Sequence, residues 1–121
     1  MAALTPLRKR ADFLRIAGGR RKVVTPGLIL QPLPRPETQP AIAGTAIRVG
    51  YTATKKIGIA VTRNRAKRRL RAAAAAILAP HAATDFDYVL IARAETPSRP
   101  YPALLKDLET ALRRSGTWRS Q

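Results

Sequence analysis

The chain has 121 residues, with 23 lysines and arginines against 7 aspartates and glutamates, a formal charge of +16 at pH 7. That length supports one hydrophobic core, so a single domain over 1–121 is expected, and 45% hydrophobic residues are too many for a disordered polycation. So large a charge on a small folded domain is the electrostatic footprint of a nucleic-acid binder, and the absence of cysteine excludes disulfides, thiolate metal sites and thiol nucleophiles.

The N-terminal stretch has no apolar segment ahead of Arg8, Lys9 and Arg10, unlike a signal peptide. No apolar run approaches the roughly 18 residues of a membrane span, and a cytoplasmic protein is expected. Thr5-Pro6 is a helix-start signal and Gly18-Gly19 a stop, which predicts a short helix turning Leu7, Phe13, Leu14 and Ile16 toward the core. After a basic turn, Arg20-Arg21-Lys22, the stretch from Val23 to Gln31 has the pattern of a strand interrupted by Pro26-Gly27. Pro32, Pro34, Pro36 and Pro40 then mark a long flexible hairpin connection over about 32–44. In the next strand, Ile47, Val49, Tyr51 and Ala53 alternate with Arg48, Gly50, Thr52 and Thr54, separating an apolar from a polar face. The polar face suits either plain solvent exposure or an extended chain laid across an open sheet.

Lys55-Lys56-Ile57-Gly58 leads into a helix that runs through the alanines at 72–76 and is expected to stop at Pro80. Ala66, Leu70, Ala73 and Ile77 share one stripe, while Arg65, Lys67 and Arg68 point broadly the other way. No acid lies between Lys55 and Arg71. Solvated charge runs usually mix signs for pairing along the helix, so this same-sign ridge points to phosphate contacts. Asp87 to Ala92 follows as a buried strand, and Leu104, Leu105, Leu108 and Leu112 define a last helix with a basic end at Arg113-Arg114. A frayed tail is expected over about 115–121.

Material for a protein active site is scarce. His81, the one histidine, follows a helix-stopping proline and is expected to be a loop residue. Of the acids, only Asp85 and Asp87 stand close enough to share a magnesium ion, and a two-metal nuclease needs more convergent carboxylates.

The run KKIGIAVTRNRAKRRLR, Lys55 to Arg71, resembles the signature of the bacterial ribonuclease P protein component. RVGYTAT from Arg48, ADFLRI around Phe13, DYVLIAR from Asp87 and the leucine-rich last helix resemble that family in the same order, so the likeness spans nearly the whole chain. It implies an α/β (α+β) two-layer sandwich of order α-β-β-β-α-β-α, with a mostly antiparallel central sheet and a left-handed crossover. It also implies a protein subunit that joins a catalytic RNA and assists magnesium-dependent removal of the 5′ leader from precursor tRNA. The Mg2+-dependent active site would lie in the RNA, no cofactor would be bound by the protein, and the protein alone would not cleave.

Carried over by position, the resemblance places Lys55, Lys56, Arg63, Asn64, Arg65, Lys67, Arg68, Arg69 and Arg71 on the catalytic RNA. It places Phe13, Arg48, Thr52, Thr54, Arg63 and Asn64 around the single-stranded leader. For Phe13, core packing is the ordinary alternative. The chain departs from the family pattern at Ile59, where Asn is frequent, at Ala17 and Gln31, where aromatics are frequent, and at Ala72, where an acid is frequent. Weaker leader stacking with an intact phosphate grip is therefore expected. A structural RNA-binding protein, such as a ribosomal component, would share the charge without assisting cleavage. An autonomous nuclease built on Asp85 and Asp87 is the remaining alternative.

Overall fold

The computed structural model describes residues 3–36 and 46–119. Its elements are β1 (Ala3–Pro6), α1 (Arg10–Gly18), β2 (Val23–Val24), β3 (Leu28–Pro34), β4 (Ala46–Thr52), α2 (Ala60–His81), β5 (Phe86–Ala92) and α3 (Tyr101–Ser115), with a 3-10 turn at Lys55–Ile57. One five-stranded sheet has the order β1-β4-β5-β3-β2. The expected α+β class holds, with one strand more than expected at the N-terminus. The sheet is evenly mixed rather than mostly antiparallel: β1, β4 and β5 run parallel, and β3 and β2 antiparallel to their neighbours.

The two faces of the sheet follow from period-two alternation. Leu28, Leu30, Ile47, Val49, Tyr88, Leu90 and Ala92 point to one face, where Leu70, Ala73 and Leu78 of α2 and Leu104, Leu108 and Leu112 of α3 close the main core. Each fully buried leucine contributes about 1.5–3 kcal/mol. Tyr88 is buried whole, and its hydroxyl donates to the Ala83 carbonyl at 2.7 Å, which spares the core an unpaired polar group. On the opposite face, Leu7, Ile16 and Val89 form a smaller cluster with Phe13, Leu33 and Ile91, so α1 covers part of the sheet and leaves the rest open.

Several local signals lose to tertiary pairing. Thr5-Pro6 starts no helix, because Leu4 to Pro6 pairs with Ile47 to Val49 along an edge strand, where a proline without an N–H is tolerated. The helix begins after Lys9 instead, and Leu14 faces solvent at 57% exposure rather than the core. Pro26-Gly27 makes a hairpin: Val24 pairs with Ile29 and the Thr25 N–H donates to the Leu28 carbonyl, so the interruption is a reversal of the chain between two antiparallel strands.

Pro32 and Pro34, expected in a loop, lie inside β3 opposite Tyr88 and Phe86. The Arg35 N–H donates to Asp85 on the β5 side, so residues of the other parity direct their N–H positions away from β5, beyond the two-residue β2. Prolines there remove no ladder bond. The connection after β3 is no hairpin, since β5 lies between β3 and β4; its residues 37–45 fall outside the described residues.

Pro80 does not stop α2, which continues to His81. His81 is thus helical, and its ring stacks on Trp118 with centroids 4.1 Å apart. The segment after α3 is held up to residue 119: Gly116 takes the left-handed cap, Thr117 is buried and Trp118 bridges to Ala82. No helix among the described residues is long and apolar enough to cross a membrane.

Candidate nucleic-acid interface

The exposed side of α2 is the first component. The apolar stripe of Ala66, Leu70, Ala73, Ala74 and Leu78 fixes the rotation of the helix on the core. This leaves Asn64, Arg65, Arg68 and Arg71 exposed and Lys67 half-buried, with exposed Lys55 and Lys56 on the turn before it. No acid occupies the first turn, and the N-cap residue, Ile59, offers no side-chain hydrogen bond. The orphan N–H groups of that turn therefore face outward as partial positive charge, which favours an anion. Arg63, half-buried in the same turn, has a buried Nε with no hydrogen-bond partner. A buried donor left unpaired costs about 1–3 kcal/mol.

Arg69 and Arg71 differ from their neighbours. The Arg69 Nε donates to the Thr96 carbonyl at 2.9 Å and its Nη2 to the Arg99 carbonyl, so this arginine holds the connection between β5 and α3. Arg71 lies over the Tyr51 ring at 5.3 Å while remaining exposed. Burial raises the Tyr51 hydroxyl pKa, an effect that the positive charge of Arg71 partly offsets.

The second component is the open face beside α1. A Cβ built at Gly50 would lie 2.5 Å from two ring atoms of Phe13, so this glycine is the notch that admits the ring. Phe13 is half-buried, one side on the sheet and the other toward solvent. Thr52, two residues on, shares the face of Gly50, and exposed Thr54 precedes the 3-10 turn. Because the chain passes directly from this strand end through the turn into α2, Thr52, Thr54 and the first turn of α2 adjoin.

Arg48 shares that face but is committed to an ion-pair network. Its Nε and Nη2 donate to the two oxygens of buried Asp87 at 2.9 and 2.5 Å, and the Arg15 Nη2 donates to Asp87 at 2.6 Å. Arg35 approaches Asp87 at 3.5 Å, and Asp12 stands 3.6 Å from Arg15 and 3.9 Å from Arg48. Burial pushes the Asp87 carboxyl upward, but hydrogen bonds and charge from Arg48 and Arg15 outweigh it and hold the pKa below its ordinary value. The Asp87 hydrogen bond in turn raises the Arg48 pKa. This network fastens α1 to the sheet.

Both Asp87 oxygens are thus taken, and Asp85 is exposed beside it, so the two acids do not converge as metal ligands. Among the described residues, no three His, Asp or Glu side chains gather as a metal site. Sequence reasoning missed the Gly50 notch, signalled by a glycine inside an alternating strand. It also missed the uncapped start of α2, signalled by Ile59 where a capping residue would stand.

The family model described as Ribonuclease P matches residues 1–116. A "Ribonuclease P protein component" from Paramagnetospirillum magneticum is 52% identical over 95% of this chain and 85% of its own length. One from Gluconacetobacter diazotrophicus is 46% identical over 91% and 90%. Among solved structures, the RNase P protein of Staphylococcus aureus superposes with a TM-score of 0.74 over 94% of this chain and 97% of its own, at 23% identity. The RNase P protein of Thermotoga maritima gives 0.71 over 91% and 96%, also at 23% identity.

Proposed function

The chain belongs to the ribonuclease P protein component family, and on that premise we propose that it holds two RNA elements on two adjoining surfaces. It is the protein subunit of an endoribonuclease that processes tRNA 5′ ends and whose catalysis is carried out by RNA. The cations of α2 at Arg65, Lys67 and Arg68, with Lys55 and Lys56 on the turn before it, contact phosphates of the catalytic RNA. The 5′ leader of precursor tRNA lies along the open face, with a base against Phe13 and hydroxyl contacts from Thr52 and Thr54. Arg63 and Asn64 stand at the junction, where the orphan N–H groups of α2 also donate to phosphate.

One observation carries this reading: an acid-free, uncapped cationic helix begins where an open sheet face with a half-buried aromatic ends. Stacking on an aromatic plus backbone-tracking cations suits a single strand of varied sequence. Arg48 and Arg69 are left out of the contact set because their guanidinium groups are engaged within the protein. Magnesium chemistry belongs to the RNA, and the protein's part is to orient the substrate and neutralise charge.

The test is cleavage of 5′-labelled precursor tRNA with magnesium at near-physiological salt, using protein alone, cognate catalytic RNA alone, and both. Stimulation in the mixture alone, with the cut at the mature 5′ end, is the expected result. Binding without stimulation would favour a purely structural RNA-binding role, and cleavage by the protein alone would place the active site in the chain.

A further inference from the structure

The basic turn after α1 has no part in either surface above. Arg20, Arg21 and Lys22 line a cavity of ≈ 250 Å³ with Val23, Pro32, Arg114 and Ser115, and no acidic side chain contributes to its wall. Four cations therefore converge from two elements distant in sequence, the α1–β2 turn and the last turn of α3. We propose that this cavity is a second phosphate-binding site, which takes the sugar-phosphate backbone of the catalytic RNA at the edge of the sheet opposite to α2.

One cation of the four is already used. The Arg21 Nη2 donates to the Ser115 carbonyl at 2.7 Å, and its guanidinium lies 5.7 Å from the Phe86 ring centre, so it closes the C-terminus of α3. That bond answers the helix-end carbonyl and fixes the cavity wall. Arg20, Lys22 and Arg114 remain exposed and, among the described residues, make no ion pair or hydrogen bond through their side chains. The neighbouring Arg113 pairs with Glu109 and covers Trp118, whereas Arg114 does neither.

The backbone adds a second observation. Arg20 has φ 58°, the one positive value outside glycine among the described residues. It follows the Gly19 C-cap, where a left-handed residue commonly ends a helix, its N–H donating to the Ala17 carbonyl at 3.2 Å, and this reversal carries Arg20, Arg21 and Lys22 to the cavity wall.

Position makes the site distinct from the α2 ridge. In the sheet order β1-β4-β5-β3-β2, α2 packs on β1, β4 and β5, and α3 packs on β2 and β3. Four strand spacings of about 4.8 Å separate the edges by roughly 19 Å, so the two cationic regions reach separate phosphate groups. A large folded RNA can engage both, and the second contact then forms at high effective concentration.

The inference rests on the proposed catalytic-RNA partnership, so its test has to separate the two. Binding of the full chain to cognate catalytic RNA is measured against salt for wild type, for Arg20→Gln/Lys22→Gln/Arg114→Gln and for Arg65→Gln/Arg68→Gln. Each lost phosphate contact lowers the slope of log K on log salt by about 0.9, so the triple variant is expected to lose about 2.7 with an unchanged melting temperature. An unchanged slope in the triple variant, with a reduced slope in the α2 variant, overturns this site and leaves the proposed function standing. Unchanged slopes in both overturn the two together. Because the chain has no cysteine, Lys22→Cys carrying a photoreactive group gives an independent readout. An adduct with the catalytic RNA supports the site, and its absence while Lys67→Cys forms one overturns it.

Discussion

Asp87 shows how one buried charge decides a local architecture. With two arginines donating to it and a third nearby, its removal leaves several cations facing one another in a half-buried layer. Asp87→Ala is expected to destabilise the protein by about 3–5 kcal/mol, read as a shift in the urea midpoint. Its folded pKa is depressed below 3.8, so its stabilisation is fully present above that value and is lost as the pH falls through the folded one. Wild-type stability should therefore decline with acid in that window, and Asp87→Asn should show a flatter profile there. Phe13 belongs to the same scale but to another process. Phe13→Ala is expected to weaken binding of leader-bearing tRNA by about 1–3 kcal/mol relative to leaderless tRNA, a ratio that cancels any general loss of stability. Equal weakening of both substrates would make the ring a packing residue alone.

At the scale of elements, α2 contains two kinds of arginine that alternate along one run. Arg65→Gln/Arg68→Gln is expected to lower the salt slope of RNA binding by about 1.8 and to leave the melting temperature unchanged. Arg69→Gln should do the reverse, costing about 1–2 kcal/mol of stability through the lost carbonyl contacts, with no change of slope. Periodicity made the helix, its buried stripe and its cationic side legible, because those depend on spacing within one segment. It could not separate Arg69 from Arg68, since the carbonyls that capture Arg69 arrive from the segment around Thr96 and Arg99. The same limit explains Arg48: alternation put it on the open face, but its partner Asp87 comes from a strand 39 residues later. Thr5-Pro6 misled for a related reason, as a local helix signal was overruled by pairing with Arg48 and Val49.

For the whole molecule, the charge of +16 works against the folded state until a polyanion or salt screens it. Raising salt from about 0.05 to about 0.5 M shortens the screening length by roughly a factor of three and is expected to lift the melting temperature by about 4 °C. A melting temperature that falls instead would mean that ion pairs such as those around Asp87 outweigh the repulsion. Composition alone announced this property, and the distribution of the charge over two sheet edges became visible only when the strand order did.

That strand order also governs how the chain comes to be folded. β5 occupies the centre of the sheet, paired to β4 on one side and β3 on the other, although it is the last strand to be made. Until Phe86 to Ala92 leaves the ribosome, the earlier strands can form only two separate ribbons, β1 with β4 and β2 with β3. Such long-range pairing slows folding, because loop closure has to precede the contacts that reward it. Throughout that interval the basic run from Lys55 to Arg71 has already been synthesised, so the nascent chain presents its polycationic segment before it has a fold to hold it.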